Sequence, residues 1–215
     1  MRVCVALAIA LLLVVGGLLL DMSGRAPRLA ATDHTNAVSF VAALYGGQEL
    51  CQPHMVLPSE AARLQVLVGT YGRLVPELGA RFFVSSTGRT LTAGILPAGA
   101  KQGYVYIPIA HPHGPAVGGT LCIRADGIHK IVLGGAPFAT GTESEKIDGR
   151  AVPGRIYVDY MRAGSESWWQ LLPTLDQRFG LGKSPVFGDW TFVVLALLLL
   201  GVWIATVRLL LRELA

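Results

Sequence analysis

Two uncharged apolar segments flank a middle region of short alternating runs. Val3 to Leu20 and Trp190 to Val207 each carry no charged side chain. A helix over either segment reaches roughly 27 Å, which is close to the thickness of a bilayer core. We therefore predict a transmembrane helix over 1–20, acting as a signal anchor, and a second over 190–208. A cleaved signal peptide is the alternative for the first segment, because Arg2 gives it a basic start.

The middle region has the pattern of an antiparallel β protein. Residues 21–38 are small, polar and without period, which predicts a tether. Over residues 39–163, strand-length runs rich in branched and aromatic side chains are separated by turn residues, which predicts an all-β jelly-roll or β-sandwich domain. In one run Leu64, Val66 and Val68 alternate with more polar neighbours, so one face is predicted to be buried.

A helical pattern follows the strands. Residues 164–189 place apolar side chains at helical spacing after Ser165, a plausible N-terminal cap. We predict an amphipathic juxtamembrane helix, with four side chains at the membrane interface: Trp168, Trp169, Lys183 and Trp190. An ordinary helix covering one edge of the sandwich is the alternative. Residues 209–215 are then a cytoplasmic tail.

Cysteine usage and flanking charge bear on the compartment. Cys51 and Cys122 both fall in the middle domain and can form a disulfide in an oxidising compartment, the alternative being two unrelated buried thiols. Arg2 before the first span and Arg208 after the second predict that both termini are cytoplasmic and that the central domain is extracytoplasmic. A mean hydropathy of +0.51 agrees with the two apolar segments.

Charge gives no indication of a nucleic-acid partner. Residues 21–189 contain 15 Lys and Arg against 13 Asp and Glu, so the middle region is nearly balanced despite a sequence pI of about 9.1. A basic groove is therefore not expected.

No motif predicts catalysis, a cofactor or a metal. Gly182-Lys183-Ser184 lacks the upstream glycine of a phosphate-binding loop, since position 177 is glutamine, and no Gly-x-Ser-x-Gly occurs. His111 and His113 would need a third ligand, such as His54 or His129, to hold zinc, and the prolines around them favour an exposed loop. Glu143 and Glu145 flank Ser144 in a polar stretch that is predicted to be a solvated loop.

Aromatic placement suggests one binding surface. All four tryptophans lie outside residues 39–163, so a sugar-stacking surface on the sandwich would use tyrosines. Three are candidates: Tyr71 in a predicted turn, and Tyr104 and Tyr106 two apart on one strand face. Covering the core is the alternative role for these rings.

Several short motifs resemble a known class of domain. They include Gly69-Thr70-Tyr71-Gly72, Gly94-Ile95-Leu96-Pro97-Ala98-Gly99, Leu121-Cys122-Ile123-Arg124 and Ser167-Trp168-Trp169-Gln170. Together they resemble the extracytoplasmic jelly-roll modules of actinobacterial envelope membrane proteins, which are similar in fold to carbohydrate-binding modules. In relatives of that kind the module can accompany a multi-span portion like a glycosyltransferase, but this sequence has a single apolar segment after the module, so no catalytic membrane domain is carried over as an expectation.

The resemblance and the predicted architecture lead to a functional expectation. The chain is expected to be a non-enzymatic, membrane-anchored binding or scaffolding module of the bacterial plasma membrane and cell envelope. Its expected partners are the lipid bilayer and a glycan or lipid-linked sugar. An accessory subunit of a membrane glycosyltransferase or polysaccharide assembly complex is the first alternative, and a hydrolase outside the cytoplasm is the second.

Overall fold

The fold comes from a computed structural model that describes residues 2–112, 117–137, 145–172 and 189–213. Within the helices, the description excludes the side chains of residues 2–8, 11, 189–193, 195, 196, 210, 211 and 213. Helix α1 runs over Arg2–Ser23, α2 is described over 168–172, and α3 runs over Asp189–Glu213.

The predicted membrane topology is wrong. Crossing a bilayer requires about 20 predominantly apolar residues in one helix. In the part of the chain that the structure describes, no helix is both long enough and apolar enough to meet that requirement. This finding overturns the two transmembrane helices, the plasma-membrane localisation and the orientation inferred from Arg2 and Arg208.

Thirteen β-strands are described, all within a compact unit of residues Pro27–Gly164. In chain order they are β1 Leu29–Thr32, β2 Ser39–Leu44, β3 Glu49–Leu57, β4 Arg63–Gly69, β5 Glu77–Phe83, β6 Thr90–Leu96, β7 Gly103–Pro108, β8 Val117–Asp126, β9 Ile131–Ala136, β10 Glu145–Ile147, β11 Arg150–Val152, β12 Arg155–Ile156 and β13 Val158–Met161. Strand β1 lies within the segment that the sequence pattern assigns to a tether.

The strands form two antiparallel sheets. The seven-stranded sheet has the order β1-β13-β4-β9-β12, with β7 on the other edge of β4 and β2 paired with β9. The six-stranded sheet has the order β11-β10-β3-β8-β5-β6. Its centre is the β3–β8 pair, in which Cys51 lies opposite Cys122.

One hydrophobic core lies between the sheets. Leu64, Val66 and Val68 of β4 point inward as their alternation predicts, and each is about 1% exposed. The opposite wall is contributed by β5 and β8 through Leu78, Ala80, Phe82, Leu121, Ile123 and Ala125, all of which belong to the same core. Because successive side chains on a strand alternate between faces, the residues between these positions lie on the two outer faces.

Candidate functional site

A strained turn between β4 and β5 presents Tyr71 to solvent. Tyr71 and Gly72 both have positive φ, at 56° and 84°, and Arg73 N–H donates to the Thr70 carbonyl at 3.3 Å. Two consecutive positive φ values closed by this bond define a type I′ turn, whose first central position favours Asn, Asp or Gly. Tyrosine is unusual there, and this side chain is 70% exposed.

Gln102 holds the turn from a neighbouring loop. Its side-chain oxygen accepts hydrogen bonds from the backbone N–H of Thr70 at 3.3 Å and of Gly72 at 3.2 Å. Thr70 Oγ1 also donates to the Arg73 carbonyl. These bonds fix the backbone on both sides of Tyr71, so the position of the ring does not depend on its own packing.

A cleft of about 460 Å³ adjoins this turn on the outer face of the seven-stranded sheet. Phe40 and Tyr71 line it together with Leu67, Val68, Gly69, Gln102, Gly103 and Val132. Gly69 is needed here, because a Cβ at that position would lie 2.8 Å from both Phe40 Cζ and Val132 Cγ2. The cleft therefore combines two exposed aromatic rings, an apolar floor and a polar amide.

Lys130 connects this cleft to a third aromatic ring. Its Nζ lies 5.6 Å from the ring centroid of Tyr45 and 5.9 Å from that of Tyr71, both within cation–π range. The ammonium group is thus placed beside the exposed edge of the cleft.

The other two tyrosines predicted for sugar stacking lie on the same outer face but do not line the cleft. Tyr104 packs edge to face against Tyr157, with ring centroids 5.6 Å apart, and Tyr106 OH accepts a hydrogen bond from Gln65 Nε2 at 3.3 Å. They are 54% and 40% exposed, respectively. Of the three candidates, Tyr71 is the one that lines the cleft.

A second hollow lies on the outer face of the six-stranded sheet. Its charged lining residues pair with one another, Arg81 with Glu49 at 2.6 Å and Arg124 with Asp126 at 2.8 Å. These pairs neutralise the charges of the hollow, and no aromatic ring is among its lining residues. The hollow is therefore a weaker candidate for a ligand-binding site than the cleft beside Tyr71.

A polar network lies inside the sandwich. The Gln52 side chain is fully buried, donates to Asp33 Oδ2 at 3.2 Å and accepts from Ile156 N–H at 2.7 Å. Glu145 is also fully buried, and neither of its carboxylate oxygens has a hydrogen-bond partner among the described residues. The stretch that the sequence pattern assigns to a solvated loop thus includes a core carboxyl.

Burial controls the ionisation of this network. Loss of hydration raises the pKa of Glu145 to about 7, although the positive charge of Arg155 acts in the opposite direction. Burial likewise raises the pKa of Asp33, while its hydrogen bonds with Thr35 lower it in part. Glu145 therefore keeps its proton to a higher pH than an exposed glutamate does.

The structure joins Cys51 and Cys122 in a disulfide with an S–S distance of 2.01 Å. Glu49 is the third member of a group whose possible ligand atoms all lie within 4.8 Å, but the two sulfurs are bonded to each other and cannot act as thiolate ligands. Among the described residues, His54, His111 and His129 belong to no such group, and His113 lies outside the description.

The residues predicted for the membrane interface are only partly described. Trp168 and Trp169 begin α2 and are 38% and 45% exposed. The cap of this helix is Ser167 rather than Ser165: its N–H donates to Gln170 Oε1 at 2.9 Å, and its hydroxyl accepts from Gln170 N–H, which forms a capping box. Lys183 and the side chain of Trp190 lie outside the described residues.

No protein-family model matches the chain, and no curated protein matches it significantly. The similarity to envelope jelly-roll modules therefore stays a prediction.

Residue patterns missed most of the cleft. Phe40, Gln102 and Lys130 come from three different connections or strand faces, and only pairing of the strands brings them to Tyr71. One local signal was present in Thr70-Tyr71-Gly72-Arg73. The glycine indicates a turn, and tyrosine is an unfavourable residue for the position before it in that turn.

Proposed function

We propose that the β-sandwich is a carbohydrate-binding module and that the glycan lies in the cleft between Phe40 and Tyr71. One observation carries this proposal: Tyr71 is held at a φ of 56° while 70% of it stays in solvent. A bulky side chain in the left-handed region costs on the order of 1–3 kcal/mol. Within this chain the Tyr71 ring gains little burial that would offset the cost of its backbone conformation. A ligand that covers the ring would supply the missing contacts.

The chemistry of the cleft favours a sugar as that ligand. A pyranose ring has apolar C–H faces and hydroxyl groups at its edge, so it needs flat apolar surfaces with hydrogen-bonding groups beside them. Phe40 and Tyr71 supply the flat surfaces. The side-chain N–H groups of Gln102 donate to none of the described residues and are available to a sugar hydroxyl.

The resemblance of the sequence motifs to carbohydrate-binding-like jelly-roll modules supports the same proposal. So does the sandwich fold, since ligands of such folds contact loops and outer sheet faces that a rigid core holds in place. A protein partner would be expected to bury a wider apolar patch than this narrow cleft offers.

The full-length chain should first be applied to a glycan array of neutral and acidic oligosaccharides, and the strongest ligand then titrated by calorimetry. We expect Tyr71→Asn to weaken binding about tenfold or more, because the apolar area of a stacked ring contributes roughly 1.5 kcal/mol. Asparagine tolerates positive φ, so this variant should fold at least as stably as the parent.

Tyr71→Phe is the matched control, because it keeps the ring and should keep the affinity. The proposal is wrong if the array retains no glycan, or if Tyr71→Asn binds the selected glycan as tightly as the parent does.

A further inference from the structure

Tyr71 and Gln102 at the edge of the cleft belong to two turns, and two further turns lie beside them. Residues 45–48, 70–76, 97–102 and 127–130 include Arg73, Lys101, His129 and Lys130, and none of them is Asp or Glu. The turns contact one another: Val75 N–H donates to the Ala100 carbonyl at 2.8 Å, and a Cβ added at Gly46 would lie 1.9 Å from the Gly127 carbonyl oxygen. Glu77, the exposed first residue of β5, directly follows one of these turns and takes part in no ion pair among the described residues, so one lysine-rich and arginine-rich end of the sandwich keeps a net positive charge beside a single unpaired acid.

The cations at this end lack acidic partners in the described part of the chain. Its ion pairs join Arg81 to Glu49, Arg124 to Asp126 and Arg162 to Glu60, so the acids at the adjoining strand ends of β3 and β8 are already paired. Neither Arg73 nor Lys130 takes part in an ion pair there. Both are left with charge available to a ligand.

Two contacts hold these cations in place. Lys130 Nζ lies over the rings of Tyr45 and Tyr71, and Arg73 Nη1 lies 2.5 Å from His129 Nδ1. Because guanidinium can only donate, Nδ1 accepts this bond and the proton of a neutral His129 is on Nε2. The end of the cleft thus presents ammonium, guanidinium and imidazole N–H donors within reach of one exposed aromatic ring.

We infer that the glycan bound in this cleft is anionic, with a carboxylate or phosphate group held by Lys130 and Arg73 while a sugar ring stacks on Tyr71. This inference rests on the proposed function, because it uses Tyr71 as the stacking surface. Lysine and arginine bind both kinds of oxyanion through charge-assisted hydrogen bonds, so the shared chemistry is an acidic sugar.

The experiment compares matched acidic and neutral ligands on the full-length chain. The uronate pair is trigalacturonate and its methyl ester, and the phosphate pair is mannose 6-phosphate and mannose. At about 50 mM NaCl we expect one acid to bind about five- to tenfold more tightly than its neutral counterpart, and the advantage to shrink at about 300 mM NaCl. The pair that shows the advantage identifies the acid group.

Lys130→Gln should reduce this advantage to about twofold or less, because it removes the ammonium group and keeps a side chain of similar length. Lys146→Gln, which removes an exposed lysine from β10 of the other sheet, should leave the advantage intact. Equal binding of acid and neutral forms, or binding confined to neutral glycans, would overturn the inference and leave the proposed function standing. A glycan array without any ligand would instead overturn the proposed function itself.

Discussion

Replacing Glu145 with glutamine tests the interior of the sandwich through its response to pH. Glu145 is fully buried without a hydrogen-bond partner among the described residues, and burial raises its pKa from 4.5 to about 7. The folded chain therefore keeps a proton that the unfolded chain releases as pH rises above 4.5. The contribution of Glu145 to the free energy of unfolding therefore falls between pH 4.5 and about 7, and then levels off.

The size of this effect follows from the two pKa values. Each pKa unit corresponds to about 1.4 kcal/mol, so the difference between 4.5 and about 7 amounts to roughly 3–4 kcal/mol. Glu145→Gln has no proton to lose. Relative to the parent, we expect the variant to gain roughly 3–4 kcal/mol between pH 4 and pH 8, whatever constant cost the buried amide adds.

The measurement must report on the sandwich alone. All four tryptophans lie outside Pro27–Gly164, so their fluorescence would follow other parts of the chain. Hydrogen–deuterium exchange of peptides from β4 and β8 across a urea titration gives the free energy of unfolding of the sandwich. Titrations at pH 4, 5, 6, 7 and 8 without reductant would define the curve for each protein.

Glu77→Gln is the matched control, since Glu77 is an exposed glutamate at the first position of β5. Its difference from the parent should change by less than about 0.5 kcal/mol over the same range. If the curves of the parent and of Glu145→Gln run parallel from pH 4 to pH 8, Glu145 is not a buried carboxyl of raised pKa, and the reasoning fails.

Two further predictions test the framework of the sandwich. Replacing both Cys51 and Cys122 with alanine removes a disulfide that links positions 71 residues apart, and should lower the free energy of unfolding in urea by about 4 kcal/mol. An unchanged urea midpoint after reduction of the parent would contradict this. Gly94→Ala would place a Cβ 1.7 Å from the Pro108 carbonyl oxygen, so it should lower the urea midpoint far more than Gly118→Ala, which meets nothing within 4 Å. Equal midpoints for the two glycine variants would refute the close approach of β6 to residue 108.

The alternation of apolar side chains was enough to predict the sandwich strands that matter most for the site. Leu64, Val66 and Val68 point into the core, and Tyr104 and Tyr106 lie on the outer face, because side chains alternate with a period of two in any strand. Local patterns also indicated the turn at Tyr71. These features depend on neighbours in sequence, so one chain is sufficient to reveal them.

The helices and Glu145 show where local pattern reaches its limit. Apolar composition predicted helices at both ends, and the structure has helices there. None of the described helices is both long enough and apolar enough to cross a membrane. Glu145 follows a polar stretch, which predicts a solvent-exposed side chain. Pairing of β10 with β3, which sets Lys146 opposite Cys51, places it in the interior instead.

Sequence alone determined which residues can stack, bend or form strands in this protein, whereas the tertiary structure decided which of them meet. Gln102 supports Tyr71 from a separate turn, and Lys130 reaches the same ring from a third. Those contacts depend on the register of antiparallel strands that are distant in the chain. No short-range pattern records that register, because it is set by the packing of both sheets around their common core.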